Sequence, residues 1–374
     1  MKKLIAALLA VFMMVSLAAC AGGGAAPAPP APPAGGAAPP AAAADAPRQV
    51  FELNIPHSGL ADSPREVAFA VMREEIRYAV DGYEIVLNTF PANVLGTTIE
   101  QIAGVQSGVF DMALQTIAHI GTFQPLAAVF DIPFMIPQDT EQHVEILLGD
   151  NEFMRLFKDS LREVGFEPIV PWHDGVGYWT ASFPGSRPAD FEGRLIRVMP
   201  SPMRVAMVEH MGGIMIAMDW MELYNALMTG AVEAQENPWH ANRTAQFYEV
   251  QDYMIGTRHV PLDHMMIANP DWWATVPPEI QEAIRYHTTN AVKVSMDYLF
   301  GTHDVVSYEI MFGGDNPHMT LIYPTPEELA EWEAIHWLVR DDYLAMVGPR
   351  GQEFLDAFDD VYERVTGVRR VRPS

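Results

Sequence analysis

The 374-residue chain is poor in positive charge and in cysteine. It has 23 Lys and Arg residues against 48 Asp and Glu, which gives a formal net charge of −25. Nucleic acids and anionic lipids are bound through basic surfaces, so this composition excludes a nucleic-acid partner and excludes adhesion to a membrane through a polybasic patch. Hydrophobic residues make up 49% of the chain, which is enough to bury the cores of two ordinary domains.

The single cysteine, Cys20, excludes an internal disulfide and a multi-cysteine metal site. It follows two lysines near the start, an apolar run over residues 4–17 and two alanines, a pattern typical of a secretory signal. The tetrapeptide LAAC at residues 17–20 also resembles a bacterial lipobox. We therefore expect residues 1–19 to be a lipoprotein signal peptide and the Cys20 sulfur to carry a lipid; an ordinary signal with an incidental cysteine is the alternative.

Residues 20–48 are almost entirely Gly, Ala and Pro and carry little charge. No apolar periodicity in this tract could bury a face against a core. We expect a partly extended tether between the membrane and the folded part of the chain.

After the tether, short apolar runs alternate with helical patterns, which is typical of an α/β fold. Ser63-Pro64-Arg65-Glu66 predicts a capping box at the start of the first helix. The alternation predicts two successive mononucleotide-like halves, without a Gly-rich fingerprint, and then long helices that brace two lobes. Strands are predicted at residues 50–54, 83–90, 109–115, 166–170, 195–199 and 214–218, and helices at 63–78, 98–105, 140 onward, 152–164, 202–210, 221–228, 277–312, 325 onward and 351–365.

Arg197 is a lone guanidinium in an otherwise apolar strand that ends at a helix start. A buried arginine needs an anionic partner, and its planar fork matches a carboxylate in a bidentate pair. The exposed amides of a helix N-terminus favour the same charge. The segment alone leaves two interpretations equally open, a bound anion or a structural ion pair with an Asp or Glu of the chain.

Asn237 lies in a polar cluster, EAQENPWH at residues 233–240, at the predicted end of a strand, where α/β sheets place ligands. Because a proline follows, the backbone of Asn237 is held extended and its amide is fixed in direction. The amide could donate to a carboxylate or a hydroxyl, although asparagine before proline is also common in turns that only shape a loop.

These segments, in this order, resemble the extracytoplasmic solute-binding proteins of TRAP transporters, a family with dicarboxylate- and sialic-acid-binding members. The resemblance extends from residue 50 to about residue 323. Its densest stretches are LIRVMPSP at 195–202, WMELYNALMTG at 220–230 and QENP at 235–238, and weaker matches are VFDIPF at 129–134, FYEV at 247–250, and Trp273 with PPE at 277–279.

The resemblance implies a periplasmic-binding-protein-like α/β fold, with two lobes, a hinge and a long connecting helix. We expect lobe I at residues 49–174 plus 263–302, and lobe II with the C-terminal helices at residues 175–262 plus 303–374. It implies a small organic acid as ligand and the TRAP membrane subunits as partner. In the family the arginine at the position of Arg197 holds the ligand carboxylate, with the amide at Asn237 beside it and the positions of Trp220 and His259 lining the cleft.

Two positions depart from the family pattern. Many members carry a second arginine in a WxxGxRxxT motif, where this chain has Gly177, and Val94 stands where Gln or Glu is usual. The cleft is therefore expected to lack one positive charge, which favours a monocarboxylate with an apolar, aromatic or hydroxylated body. Aromatic residues that could pack such a body, although core positions are as common for them, are Trp172, Tyr178, Trp220 and Trp239.

Other chemistries have weaker support. The sequence contains no GxSxG elbow, HExxH pair or Walker loop. His240, His259 and His264 come from separate segments and are expected in loops or the core, so we expect no metal, no cofactor and no catalysis. The alternatives are a secreted lipoprotein hydrolase with paired carboxylates among Glu222, Glu233 and Glu236, or a binding protein that serves a sensor or an ATP-driven importer.

Overall fold

The computed structural model describes residues 48–314 and 317–372. The predicted signal peptide, Cys20 and nearly all of the tether lie outside the described residues. The described chain is a mixed α/β fold with three sheets. Its strands are β1 (Gln49–Pro56), β2 (Tyr83–Phe90), β3 (Met112–Thr116), β4 (Glu167–Val176), β5 (Tyr178–Ala181), β6 (Leu195–Val198), β7 (Ile214–Ala217), β8 (Ala234–Asn237), β9 (Tyr253–Ile255), β10 (Pro261–Ala268) and β11 (Thr320–Ile322).

The three longest helices of the described chain lie in its last third. The α-helices are α1 (Pro64–Ile76), α2 (Thr98–Ser107), α3 (Ile117–Ile120), α4 (Thr140–Leu148), α5 (Glu152–Glu163), α6 (Pro202–His210), α7 (Leu223–Thr229), α8 (Trp239–Thr244), α9 (Pro270–Thr275), α10 (Pro278–Tyr298), α11 (Asp304–Phe312), α12 (Pro326–Val347) and α13 (Pro349–Thr366). Among the described residues, no helix combines the length and the apolar character that crossing a membrane requires.

The sheets are mixed rather than doubly wound and parallel. β1 and β2 pair in parallel, whereas β10 lies antiparallel between β3 and β4. The six-stranded sheet has the order β11-β9-β5-β8-β6-β7, with β5 antiparallel to both of its neighbours. The prediction of two mononucleotide-like halves was therefore wrong, because β5 and β10 run antiparallel to their neighbours. The spacing of apolar residues in the sequence does not reveal the direction of a strand.

The chain passes between the three-stranded and the six-stranded sheet at two places. Only Gly177 separates β4 from β5, and residues 256–260 separate β9 from β10. The long C-terminal helical stretch links the same regions: buried residues of α10 belong to a core with β1, β2 and β4, whereas Met311 of α11 packs against Met254 of β9. A π-helical turn, Leu299–His303, joins the two helices.

The start of α1 differs from the predicted capping box. Ser63 is the N-cap residue, but its side chain makes no capping hydrogen bond. Glu66 turns instead to His57, and its Oε1 lies 2.7 Å from His57 Nε2. By contrast, Thr325 and Glu328 form a complete capping box at the start of α12. The difference at α1 leaves the Ser63 hydroxyl without a partner in the described chain.

Candidate functional site

Arg197 is the third residue of β6, which pairs in parallel with β7 and β8. Its side chain is only 1% exposed. The Nε and Nη2 atoms donate hydrogen bonds to the Met218 carbonyl at 3.2 and 3.0 Å. This carbonyl fixes the direction of the guanidinium but does not neutralise its charge.

No carboxylate of the described residues lies within 4.0 Å of Arg197. Burial lowers the pKa of Arg197 to about 10, while Glu236 acts in the opposite direction. The guanidinium therefore remains charged at neutral pH, although it is buried and has no ion pair. A buried cation of this kind is costly unless an anion joins it, so the arrangement favours the bound-anion interpretation over the structural ion pair.

Glu236, the carboxylate that acts most strongly on Arg197, is held by Arg204 of α6. Arg204 is also 1% exposed, and it forms ion pairs with Asp131 at 2.8 Å and with Glu236. Ser201 donates to the second oxygen of Asp131 at 2.7 Å. The Asp131–Arg204–Glu236 group is thus complete without a ligand.

Asn237 ends β8 and is 3% exposed. Its Nδ2 donates to Gln235 Oε1 at 2.5 Å, and its backbone carbonyl accepts from Asn242 at 3.0 Å. The first bond holds the side-chain amide in place and leaves its second N–H for another acceptor.

Arg197, Asn237 and Trp220 line one cavity. Trp220 is half-buried, and its ring packs against Phe247 with centroids 5.3 Å apart. The cavity wall also carries five hydroxyl groups and several apolar side chains. The hydroxyl residues are Ser58, Ser63, Thr98, Thr116 and Thr244, and the apolar ones include Leu60, Met199 and Leu262.

The other four predicted contact residues are not in the wall of this cavity. Trp172 is fully buried and packs against Phe69 with centroids 5.3 Å apart. His259 is fully buried and stacks on Trp179 at 4.7 Å. Tyr178 and Trp239 pack against each other in the wall of a separate cavity with Arg258 and Asp304. The structure therefore brings three of the seven residues together.

A second guanidinium, that of Arg65 near the start of α1, also lines the cavity. Arg65 is 5% exposed; its Nε lies 3.2 Å from Asp174 Oδ2, and its Nη1 lies 2.9 Å from His264 Nε2. The cleft lacks an arginine at position 177, as the sequence predicts, and Arg65 supplies a second guanidinium from another element, already paired with Asp174. At Gly177 a Cβ would lie 2.8 Å from Glu236 Oε2, so a side chain at this position would require the Glu236 carboxylate to move.

Three histidines complete the wall, and burial lowers the pKa of each one. The pKa of His119 falls to about 3, first through burial and then through the charges of Arg197 and Arg204. Sequence reasoning missed His119 and Arg65 as site residues, and placed His240 and His264 in loops or the core. In the sequence, these residues stand out only as polar side chains near predicted strand or helix ends. Their contacts could not be predicted, because the bonded residues are up to 199 positions apart.

His240 and His264 bind protein groups rather than each other. His240 Nε2 lies 2.7 Å from the Asp174 carbonyl, and His264 Nε2 faces Arg65. Among the described residues, ligand atoms at metal spacing occur in one group, which lies outside the cavity wall and consists of His143, His173 and Asp263, all buried. There the Asp263 carboxylate bonds both rings, at 2.9 and 2.7 Å.

Comparison with known proteins identifies the family of the chain. The model of the bacterial extracellular solute-binding proteins, family 7, matches residues 57–341. The ectoine-binding periplasmic protein TeaA of Halomonas elongata is 24% identical over 281 residues, which cover 75% of this chain and 82% of that protein. The 2,3-diketo-L-gulonate-binding periplasmic protein YiaO of Escherichia coli is 30% identical over 204 residues, covering 54% and 61%.

A solved structure gives the same result. A TRAP periplasmic solute-binding protein from Desulfovibrio salexigens, with bound orotic acid, is 26% identical and superposes with a TM-score of 0.79. The superposition covers 84% of this chain and 99% of that one. The residues matched by the family model include the strands that carry Arg197 and Asn237. The family model and this structure together show the two-lobed periplasmic-binding fold. The chain belongs to the bacterial extracellular solute-binding proteins, family 7.

Proposed function

We propose that this protein captures a small organic acid outside the cytoplasm and delivers it to the membrane subunits of a TRAP-type transporter. The observation that carries the proposal is Arg197, a buried guanidinium in a cavity wall without a carboxylate partner in the described chain. Orotic acid and 2,3-diketo-L-gulonate, the ligands named for two similar proteins, are both carboxylic acids.

In this proposal Arg197 pairs with the ligand carboxylate and the free N–H of Asn237 donates a further hydrogen bond. Trp220 covers an apolar or ring face of the ligand and excludes water, which strengthens the charged contacts. Family members are binding proteins, and the proposed role is binding without catalysis.

Ligand capture would involve closure of two lobes. The proposed lobes are residues 49–174 plus 263–302, and 175–262 plus 303–374. These bounds are supported by the two chain crossings, at Gly177 and at residues 256–260, and by the π-helical turn at Leu299–His303. Hinges commonly consist of a few such element-terminal residues.

The lipid anchor is part of the same proposal. Cleavage before Cys20 and lipidation of its sulfur would hold the protein at the membrane, and residues 20–48 would let the folded part reach a membrane partner. Mass spectrometry of the protein purified from its bacterial host tests this proposal, because an unmodified Cys20 or a chain that begins elsewhere would contradict it.

The ligand proposal is tested by calorimetric titration of organic acids against the wild-type protein and Arg197→Met. We expect the variant to lose several kcal/mol of binding free energy, because a desolvated carboxylate would lose its charge partner. Arg194→Met is the matched control, since Arg194 is a half-buried arginine three residues away that pairs with Glu233. Unchanged affinity in Arg197→Met would show that Arg197 is structural.

A further inference from the structure

We propose that a second cavity, at the junction of the two lobes, binds a small zwitterion that carries a quaternary ammonium group and a carboxylate. The wall of this cavity includes three aromatic side chains, one carboxylate and one guanidinium. These belong to Tyr178, Trp239, Phe300, Asp304 and Arg258. The wall shares no residue with that of the Arg197 cavity, so the two sites are separate.

The second cavity lies where the chain passes between the sheets. Tyr178 begins β5, directly after the crossing at Gly177. Arg258 lies in the second crossing, between β9 and β10, and Phe300 lies in the π-helical turn. All three segments that connect the two parts of the fold therefore contribute to the wall of this cavity.

The aromatic side chains form a surface suited to an organic cation. The ring centroids of Tyr178 and Trp239 are 5.4 Å apart, and both side chains are half-buried. Phe300 is 40% exposed, so a solute can reach all three residues. Within the described chain, no lysine or arginine lies over these rings. The electron-rich faces of aromatic rings attract quaternary ammonium groups, so a ligand can supply the cation that the chain does not.

Asp304 supplies the negative charge. It is half-buried at the start of α11, and its carboxylate has neither a hydrogen bond nor an ion pair among the described residues. Burial raises the pKa of Asp304 to about 7, while Arg258 acts in the opposite direction. The ionised carboxylate thus loses water without gaining a partner, and an ammonium group of a ligand would provide one. A metal ion would need several oxygen ligands, which a wall with one carboxylate and three aromatic rings does not offer.

Arg258 favours a zwitterion over a simple cation. It is half-buried, and its Nη2 donates to the Gln138 carbonyl at 2.9 Å, but it forms no ion pair with a carboxylate of the described chain. A lone cation in this cavity would be repelled by the guanidinium. A zwitterion can place its ammonium group against Asp304 and the rings, and its carboxylate against Arg258.

Three probes test the proposal by calorimetric titration at pH 8, where Asp304 is ionised. Glycine betaine carries both charges, choline lacks the carboxylate, and 3,3-dimethylbutyrate has the shape of glycine betaine with carbon in place of nitrogen. The titrations use Arg197→Met, so that a carboxylate bound in the other cavity does not contribute. We expect glycine betaine to bind most tightly, choline about three- to tenfold more weakly, and 3,3-dimethylbutyrate at least about tenfold more weakly.

Asp304→Asn, added to Arg197→Met, should weaken glycine betaine at least about tenfold, because the ammonium group loses its anion. The matched control is Asp297→Asn, since Asp297 is an exposed aspartate seven residues earlier in the same helical stretch and does not line the cavity. It should leave the affinity within about twofold.

The proposal is overturned if glycine betaine does not bind with a dissociation constant below about 10 mM. It is also overturned if choline or 3,3-dimethylbutyrate binds as tightly as glycine betaine, or if Asp304→Asn leaves the affinity unchanged. The effect of Arg197→Met on the binding of organic acids is a separate result, so either proposal can fail without the other.

Discussion

Two fully buried arginines, Arg197 and Arg204, lie seven residues apart on consecutive elements and differ in their partners. Arg204 holds two carboxylates, Asp131 and Glu236, and also donates to the Pro261 carbonyl. Arg197 holds only the Met218 carbonyl. Equal burial with unequal pairing indicates that Arg204 serves the fold, whereas Arg197 is available to a ligand.

The largest effect expected from this difference is on stability. Arg204→Met would leave Asp131 and Glu236 buried without their cation, so the free energy of unfolding should fall by about 3–5 kcal/mol. Arg197→Met loses one bonded carbonyl but also removes an unpaired buried charge, so its net change should stay below about 1 kcal/mol. Urea unfolding of both variants measures this. Similar losses in the two variants would remove the basis for assigning them different roles.

The second test concerns the space beside the Arg204 group. In Gly177→Ala the new Cβ would lie 2.8 Å from Glu236 Oε2 and 3.1 Å from Val260 Cγ2. Because Arg204 and burial hold Glu236 in place, the clash should cost up to about 3 kcal/mol of unfolding free energy. Gly193→Ala is a useful reference, since its Cβ meets nothing within 4 Å, although its φ of +70° adds strain of its own. If Gly177→Ala is as stable as the wild type, the Glu236 carboxylate can move without cost. The ion pair with Arg204 would then not depend on the observed position of Glu236.

A third test uses His119, because the charges of both arginines lower its pKa. Its folded pKa of about 3 lies below the ordinary value of 6.5, so the unfolded chain binds the proton more readily. The stability that His119 contributes is therefore full above pH 6.5 and is lost as the pH falls towards 3. At pH 5 the loss amounts to about 2 kcal/mol. His119→Gln should reduce the fall in stability between pH 7.5 and pH 5 by that amount, measured by urea unfolding at both values.

The test compares only how much the free energy of unfolding changes between pH 7.5 and pH 5. A difference in stability between the two proteins at one pH therefore does not affect it. If wild type and His119→Gln lose the same stability on acidification, His119 is not held neutral in the folded protein.

The sequence predicts the helices and strands better than it predicts the contacts between distant parts of the chain. β2 and α6 have the predicted bounds, and Thr325 caps α12 as expected. These features depend on residues within one or two turns, where periodicity and capping rules apply. The predicted capping box at Ser63 was wrong because Glu66 finds His57, which is nine residues away and comes close only when β1 and α1 pack together.

The same limit applies to the site. Arg197 and Asn237 could be predicted because each stands out in its own segment. Arg65 could not, since its role depends on Asp174 and His264, which follow it by more than 100 residues. The missing arginine at Gly177 was correctly noted, but the second guanidinium comes from another element of the fold.

The smallest expected effect is the change of ligand affinity with pH. It tests most directly whether Arg197, unlike Arg204, binds the ligand. The pKa of Arg197 is lowered to about 10 and that of His119 to about 3, so neither group changes charge between pH 5 and pH 8. A ligand carboxylate with an ordinary pKa of about 4 is also ionised over this range. The dissociation constant of an acid bound by Arg197 should therefore change less than about threefold from pH 8 to pH 5, as measured by calorimetric titration. If a histidine had to gain a proton to bind the carboxylate, affinity would instead rise about tenfold for each pH unit of acidification above its pKa. A rise of that size would assign the carboxylate to His119, His240 or His264, and would leave Arg197, like Arg204, as part of the framework.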